Sequence, residues 1–294
     1  MTVVFALLLG CSSFTTETLS ESWRIDRLRI LGVAAEPAEP RPGETVQFRS
    51  LVVAPDEPVG AVLWLACVNG DDSSNGCAAD TSIFSDVLAD GAVSADEQAA
   101  LAAAGLIGVE PFLSPSWTIP ADALDALPVE TRAEGFTAFV NITAVPGSLD
   151  PAAVSEIDPD EVELAFKRLP ISENPQPNLN PDLLHVEVDG AVVEEGGTFE
   201  VDAGDTVEIE PLLGDGSVES YPYLTSEGST ETRTESPWTE WYAEDGEFSQ
   251  TTSLYPELAR EWTAPSDAGE VRLWMVVRDR RGGMDWMTVR AQVR

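Results

Sequence analysis

The sequence predicts a mainly β protein built as two antiparallel β-sandwiches, the first with a partly helical insert. Short stretches of alternating apolar and polar residues are separated by turn residues, with 21 Pro and 22 Gly in 294 residues. That punctuation favours many short strands over long helices. A phrase also recurs: "PGETVQFRS" (42–50) and "AGDTVEIEP" (203–211) each run turn, acid, Thr-Val, then alternation. This weak internal repeat points to two copies of one architecture. Between the copies lies "ISENPQPNLN", rich in Pro and Asn, which reads as a linker over 173–180. The sandwiches are therefore expected over 23–172 and 181–294.

The first ten residues, "MTVVFALLLG", carry no charge, and Cys11 follows them. "LLGC" (Leu8–Cys11) resembles a bacterial lipobox, in which a signal peptide (1–10) is cut off and the cysteine is acylated. The alternative is a first β-strand over Val3–Leu9. The cysteine count favours removal. Of Cys11, Cys67 and Cys77, the last two bracket the polar loop "CVNGDDSSNGC" and suit a disulfide, which leaves Cys11 as the odd one. Closing that loop is worth on the order of 3 kcal/mol in the chain-entropy view and implies an oxidising compartment. A Ser/Thr-rich tether (11–22) follows, spanning roughly 18 Å. The anchor would sit in the outer membrane of a Gram-negative bacterium, since the residue after the cysteine is Ser12 rather than Asp.

Strand patterning begins at Trp23. "WRIDRLRILGV" offers Ile25, Leu28, Ile30 and Val33 to a core, Thr45–Val53 alternates, and "VGAVLWLAC" reads as a strand buried on both faces. Gly135–Val145 and Asp160–Ile171 complete the first sandwich. Between them, 70–127 is an insert. Its helix candidate is Ser94–Gly105, where Ser94 and Glu97 form a capping box before an Ala/Leu run and Gly105 stops it. Pro120–Pro128 suits one further helical turn. The second sandwich shows strands around Leu184–Val188, Thr198–Val201 and Thr206–Leu212.

The last sixty residues resemble the second half of a PKD-like or bacterial Ig-like domain. The resemblance rests on Trp241, the turn Gly246-Glu247-Phe248, Trp262-Thr263-Ala264-Pro265, Ala268-Gly269, Val271, and the hairpin residues Val277, Asp279 and Gly282-Gly283. The N-terminal "WRIDRLRILGVAAEPAEPRPGETV" resembles the start of myxobacterial-type lipoproteins of unassigned function. The resemblance implies Ig-like sandwiches and says little of function, because such folds host many roles.

Charge limits the partners. With 52 acidic and 16 basic residues the net charge is -36, a field that repels phosphate backbones, so nucleic acid is not expected. The acids are spread along the chain, as on a solvated surface, and some could collect divalent cations. "DVLADGAVSADE" fits much of an EF-hand loop, with Asp86, Asp90, Ser94 and Glu97 as calcium ligands. Leu88 breaks its third position, and the Ser94/Glu97 pair serves the capping box equally, which is the favoured reading. His185 is the sole histidine, in a strand, so a Ser-His-Asp triad or a zinc site lacks material. A glycosidase-type carboxylate pair is the least supported reading, since so many acids make any choice uninformative. Of the eight Trp, Trp238 and Trp241 are three apart and face opposite ways in a strand. One of them could stack on a sugar, although core packing is favoured. Taken together, the sequence leads us to expect a lipid-anchored cell-envelope protein with a structural, adhesive or protein-binding role and no catalytic residues. The alternative is a carbohydrate-binding or calcium-dependent module. Calcium is the one cofactor considered, and the partner is an envelope protein or glycan.

Overall fold

A computed structural model describes residues 21–55, 58–67, 94, 101, 105–147, 162–225 and 228–294. The first sandwich has a three-stranded sheet of β1 (Arg29–Glu36), β2 (Thr45–Val53) and β5 (Ser116–Thr118). It faces a four-stranded sheet ordered β4 (Leu106–Glu110), β3 (Val59–Cys67), β6 (Phe136–Pro146), β7 (Glu163–Ile171). All pairings here are antiparallel. Strand alternation sends Val46 and Phe48 from one sheet against Trp64, Val140, Ile142 and Leu169 of the other, the period-2 pattern of a two-layer core. Burying each such side chain is worth about 1.5–3 kcal/mol.

β3 is covered on both faces, as its apolar run predicts. Trp64 points inward, and its indole donates to Glu110 at 2.9 Å. Leu63 and Leu65 point outward and pack under Leu101, Leu106 and Val109. The helical insert is not supported. Of Ser94–Gly105 only Ser94, Leu101 and Gly105 are described, and β4 and β5 arise inside the stretch 70–127 as working strands of the sandwich. β4 forms there because the run Leu106–Val109 is apolar enough to serve the outer cluster and the core at once. Pro120–Pro128 folds as successive turns rather than as an α-helix. Its backbone bonds are i to i+3, such as Ala123 N–H to Pro120 O at 3.0 Å and Leu127 N–H to Leu124 O at 3.0 Å, a chain of turns that buries Leu124.

The second sandwich has two five-stranded sheets. One runs β15 (Glu247–Phe248), β17 (Arg260–Thr263), β11 (Thr206–Leu213), β8 (Leu183–Val188), β9 (Ala191–Val193). The other runs β10 (Thr198–Val201), β19 (Met284–Val293), β18 (Gly269–Arg278), β14 (Trp238–Ala243), β16 (Thr252–Leu254). β10 pairs with β19 in parallel, and the other pairings within the two sheets are antiparallel. The four-strand order β8-β11-β17-β15 facing β14-β18-β19 is the Ig-like arrangement. A separate exposed hairpin, β12 (Ser220–Leu224) with β13 (Thr230–Thr234), joins neither sheet. Trp241 and Trp262 are fully buried in this core around Phe248 and Phe199. The turn before Phe248 needs glycine: Gly246 has φ +87, and a Cβ there would meet Trp262 Nε1 at 2.5 Å.

The internal repeat is structural. In the first sandwich Thr45 and Thr118 share a side-chain hydrogen bond at 2.8 Å, and Ile119 N–H donates to Glu44 O at 2.9 Å. In the second, Thr206 and Thr263 do the same at 2.8 Å, and Ala264 N–H donates to Asp205 O at 2.9 Å. The acid-Thr-Val phrase therefore pairs in each half with a Trp-Thr phrase, Trp117-Thr118 and Trp262-Thr263.

One element crosses over. Trp23–Ile25, expected in the first sandwich, is stitched to the second. Ile25 N–H donates to Ala243 O at 2.9 Å, Ala243 N–H donates to Trp23 O at 3.1 Å, and Trp23 packs edge-on against Phe248.

Candidate functional site: the cleft between the sandwiches

The two sandwiches meet across a buried apolar patch of Ile25, Leu31 and Val53 against Tyr242, Trp274 and Val276. Beside the patch lies the β18–β19 turn, "RDRRGG" (Arg278–Gly283). Asp279, almost fully buried, builds this turn. Its carboxylate accepts the backbone N–H groups of Arg281 at 2.7 Å, Gly282 at 2.9 Å and Gly283 at 2.9 Å, and the Asn178 side-chain amide at 2.7 Å. A side chain at Gly283 would strike that carboxylate and Leu179 O.

The turn delivers Arg281 into a carboxylate nest. Its guanidinium lies 2.9 Å from Glu235, 3.3 Å from Glu219 and 3.6 Å from Glu39, and it stacks on Tyr221 at 4.2 Å. Burial pushes the Glu235 carboxyl up, against the backbone N–H of Glu219 and the Arg281 guanidinium, which lower it. Glu39 also accepts Ser172 Oγ at 2.5 Å and Asn178 N–H at 2.6 Å. The segment read as a linker is thereby laced into the junction. Asn180 donates to Ala35 O at 2.8 Å and accepts Met284 N–H at 3.0 Å. Opposite the turn, the Lys167 ammonium donates to Gly282 O. Burial lowers its pKa to about 8, the nearby Asp279 resists, and Arg278 adds to the lowering.

Between β1, β7 and this turn opens a cleft of about 530 Å³, within the range of small-ligand sites. The edge of β1 that pairs with no strand among the described residues forms one wall, and the second sandwich caps it. Arg278 donates to Leu31 O at 2.8 Å, Val33 N–H points at Met284 Sδ at 3.0 Å, and Asn180 takes Ala35 O. Among the described residues, five bases line the cleft (Lys167, Arg168, Arg278, Arg280, Arg281), beside Phe166 and Trp238, and no carboxylate does. Arg278 is paired with Glu240 at 2.7 Å. Arg168 and Arg280 are exposed and form no ion pair among the described residues.

Of the residues singled out from sequence, Cys11, Cys77, Asp86, Asp90 and Glu97 lie outside the described residues. Cys67 ends β3, and Ser94 is described without its sequence neighbours, so neither the disulfide nor the calcium loop is described. No cluster of three His, Cys, Asp or Glu able to hold a metal occurs among the described residues. His185 sits in β8, 4.0 Å from Glu187. Trp241 is core, and Trp238 is half-buried and borders the cleft. The sequence reading missed the cleft, although a signal was there: "KR" (167–168) and "RDRR" (278–281) concentrate bases in an acidic chain.

No protein-family model matches the chain, and no curated protein sequence does. Among solved structures, a nucleoside hydrolase-related hypothetical protein from Saccharophagus degradans is similar over 40% of this chain and 26% of its own, at 17% identity and TM-score 0.29. The fibronectin(III)-like modules of Clostridium thermocellum CbhA align over 90% and 94%, at 11% identity and TM-score 0.27. Murine CEACAM1b aligns over 90% and 100%, at 13% identity and TM-score 0.22. Superpositions this loose say nothing of function, and the Ig-like reading stands on strand order and pairing.

Proposed function

We propose that this is a lipid-anchored protein of the cell envelope, held through Cys11 in the outer membrane, whose two sandwiches form one unit with a structural, adhesive or protein-binding role. The observation that supports this best is the junction. A buried apolar patch, the Arg281 carboxylate nest and the laced segment 173–180 fix the sandwiches to one another. A fixed pair suits a spacer or presenting module, whereas a flexible linker would not hold a binding surface in a set orientation. Two tests apply. Mass spectrometry of the native protein should find an acylated N-terminus at Cys11 and a bridge between Cys67 and Cys77. An unmodified chain retaining Met1–Gly10 would end the anchor. Pull-down of the anchored protein from its native envelope should recover a specific partner protein, and recovery of none would count against the binding role.

A carbohydrate-binding role has one observation in its favour, the half-buried Trp238 at the cleft. An aromatic face beside open volume is what sugar stacking needs. A glycan array on the soluble chain tests it, and no bound glycan would remove it.

A further inference from the structure

We infer that the cleft between the sandwiches is a binding site for a small organic anion, an apolar body carrying one carboxylate. The inference rests on the reading of the two sandwiches as one fixed unit, because both walls of the site must hold their places.

Charge argues first. Acids outnumber bases 52 to 16 over the chain, yet among the described residues this cleft is lined by five bases and no acid. The scaffold satisfies three of the five. Arg278 has Glu240 and Leu31 O, Arg281 has its carboxylates, and Lys167 has Gly282 O. Arg168 on β7 and Arg280 on the β18–β19 turn remain, one from each sandwich, exposed and without an ion pair among the described residues. Guanidinium groups suit carboxylate geometry. Surplus positive charge inside a strongly negative molecule marks a place where anions are drawn in against the general field.

Shape argues second. Arg280 sits at φ +73, a backbone region unfavourable for arginine. The Asp279 carboxylate holds the turn by accepting three successive N–H groups. The position is thus fixed by buried bonds, and its side chain is free to serve a ligand. Apart from Thr137, the side chains of the rest of the wall are apolar: Phe166, 59% exposed, with Trp238, Ile30 and Met284 among them. Large hydrophobic surface beside free cations matches an amphipathic acid better than an inorganic ion. Few polar groups fixing a mostly apolar cavity is the usual make-up of small-ligand sites.

The test is a ¹⁵N NMR titration of the full soluble chain with phenylacetate, using phenylacetamide as the neutral isostere. Phenylacetate should shift the Gly282 and Gly283 amides and the Trp238 indole saturably, and phenylacetamide at least tenfold more weakly. The double variant Arg168→Gln, Arg280→Asn should lose at least tenfold in affinity. Asn tolerates the positive φ, so the turn survives. Phe166→Ser, on an exposed position, should weaken binding independently, and Arg233→Ala on the β12–β13 hairpin should leave it unchanged. Equal binding of the neutral isostere, no saturable shift up to about 10 mM, or binding indifferent to the double variant would each overturn the inference. Any of these would leave the anchored unit standing, because anchor and junction are tested by other means.

Discussion

Replacing Lys167 by Met gives a sharp test of the junction. The Lys167 ammonium is buried between the sandwiches, and burial brings its pKa from 10.5 to about 8. An unfolded chain exposes the same lysine and restores the ordinary value. Below pH 8 the group is charged in both states, and the folded state bears the whole cost of burying it. Between pH 8 and 10.5 the folded protein releases this proton while the unfolded chain keeps it. Stability contributed by Lys167 therefore rises through that window and is lost again as pH falls through 8. A gap of this size corresponds to about 3 kcal/mol. Met keeps the length of the stem and removes the titration. Urea unfolding followed by circular dichroism, for both proteins from pH 7 to 10.5, gives a difference curve free of the other titrating groups. The native protein should gain about 3 kcal/mol on the variant across that range. A flat difference curve would refute the reasoning, since it would mean that the ammonium stays solvated.

Three further outcomes follow from the packing. Arg281→Met strands Glu39, Glu219 and Glu235 without their shared cation and should cost about 3–5 kcal/mol at pH 7. Because burial already raises the Glu235 pKa, this deficit should shrink on acidification, as read from Tm against pH. Gly246→Ala forces a positive φ on alanine and pushes a methyl into Trp262, so denaturant unfolding should show a loss of more than about 2 kcal/mol, confined to the second sandwich. Trp23→Ala should cost about 3–5 kcal/mol in that same sandwich, and hydrogen exchange should show β14 deprotected before β2.

Much of the fold was legible because strands facing a core repeat with period two. Thr45–Val53 and Thr198–Val201 match their strands residue for residue, and β3 shows its two covered faces as an unbroken apolar run. The repeat was visible at the acid-Thr-Val phrase but not at its partner. Trp117-Thr118 and Trp262-Thr263 lie 145 residues apart, and only strand pairing reveals that each closes the same two-threonine bond. The segment 173–180 reads as a linker because Asn and Pro favour loops. The same Asn amides are also donors and acceptors, and here they are spent on the junction. Trp23 looked like the start of the nearest sandwich in sequence, and no local pattern shows that its partner is Phe248. The cleft escaped for a related reason. Bases far apart in sequence become one feature only when β7 and the β18–β19 turn meet.

The stitch between Trp23–Ile25 and Ala243 sets a route for mechanical load. A pull on the N-terminal end does not first reach the sandwich that follows in the chain. It passes through the hydrogen bonds at Ala243 into β14, inside the second sandwich, where the C-terminal strand β19 also ends. The first sandwich hangs beside this path as a loop closed at both ends, with Ile25 on one side and Asn180 on the other. A tension between a surface anchor and a partner gripping the second sandwich would leave the first unstretched until the stitch gives way.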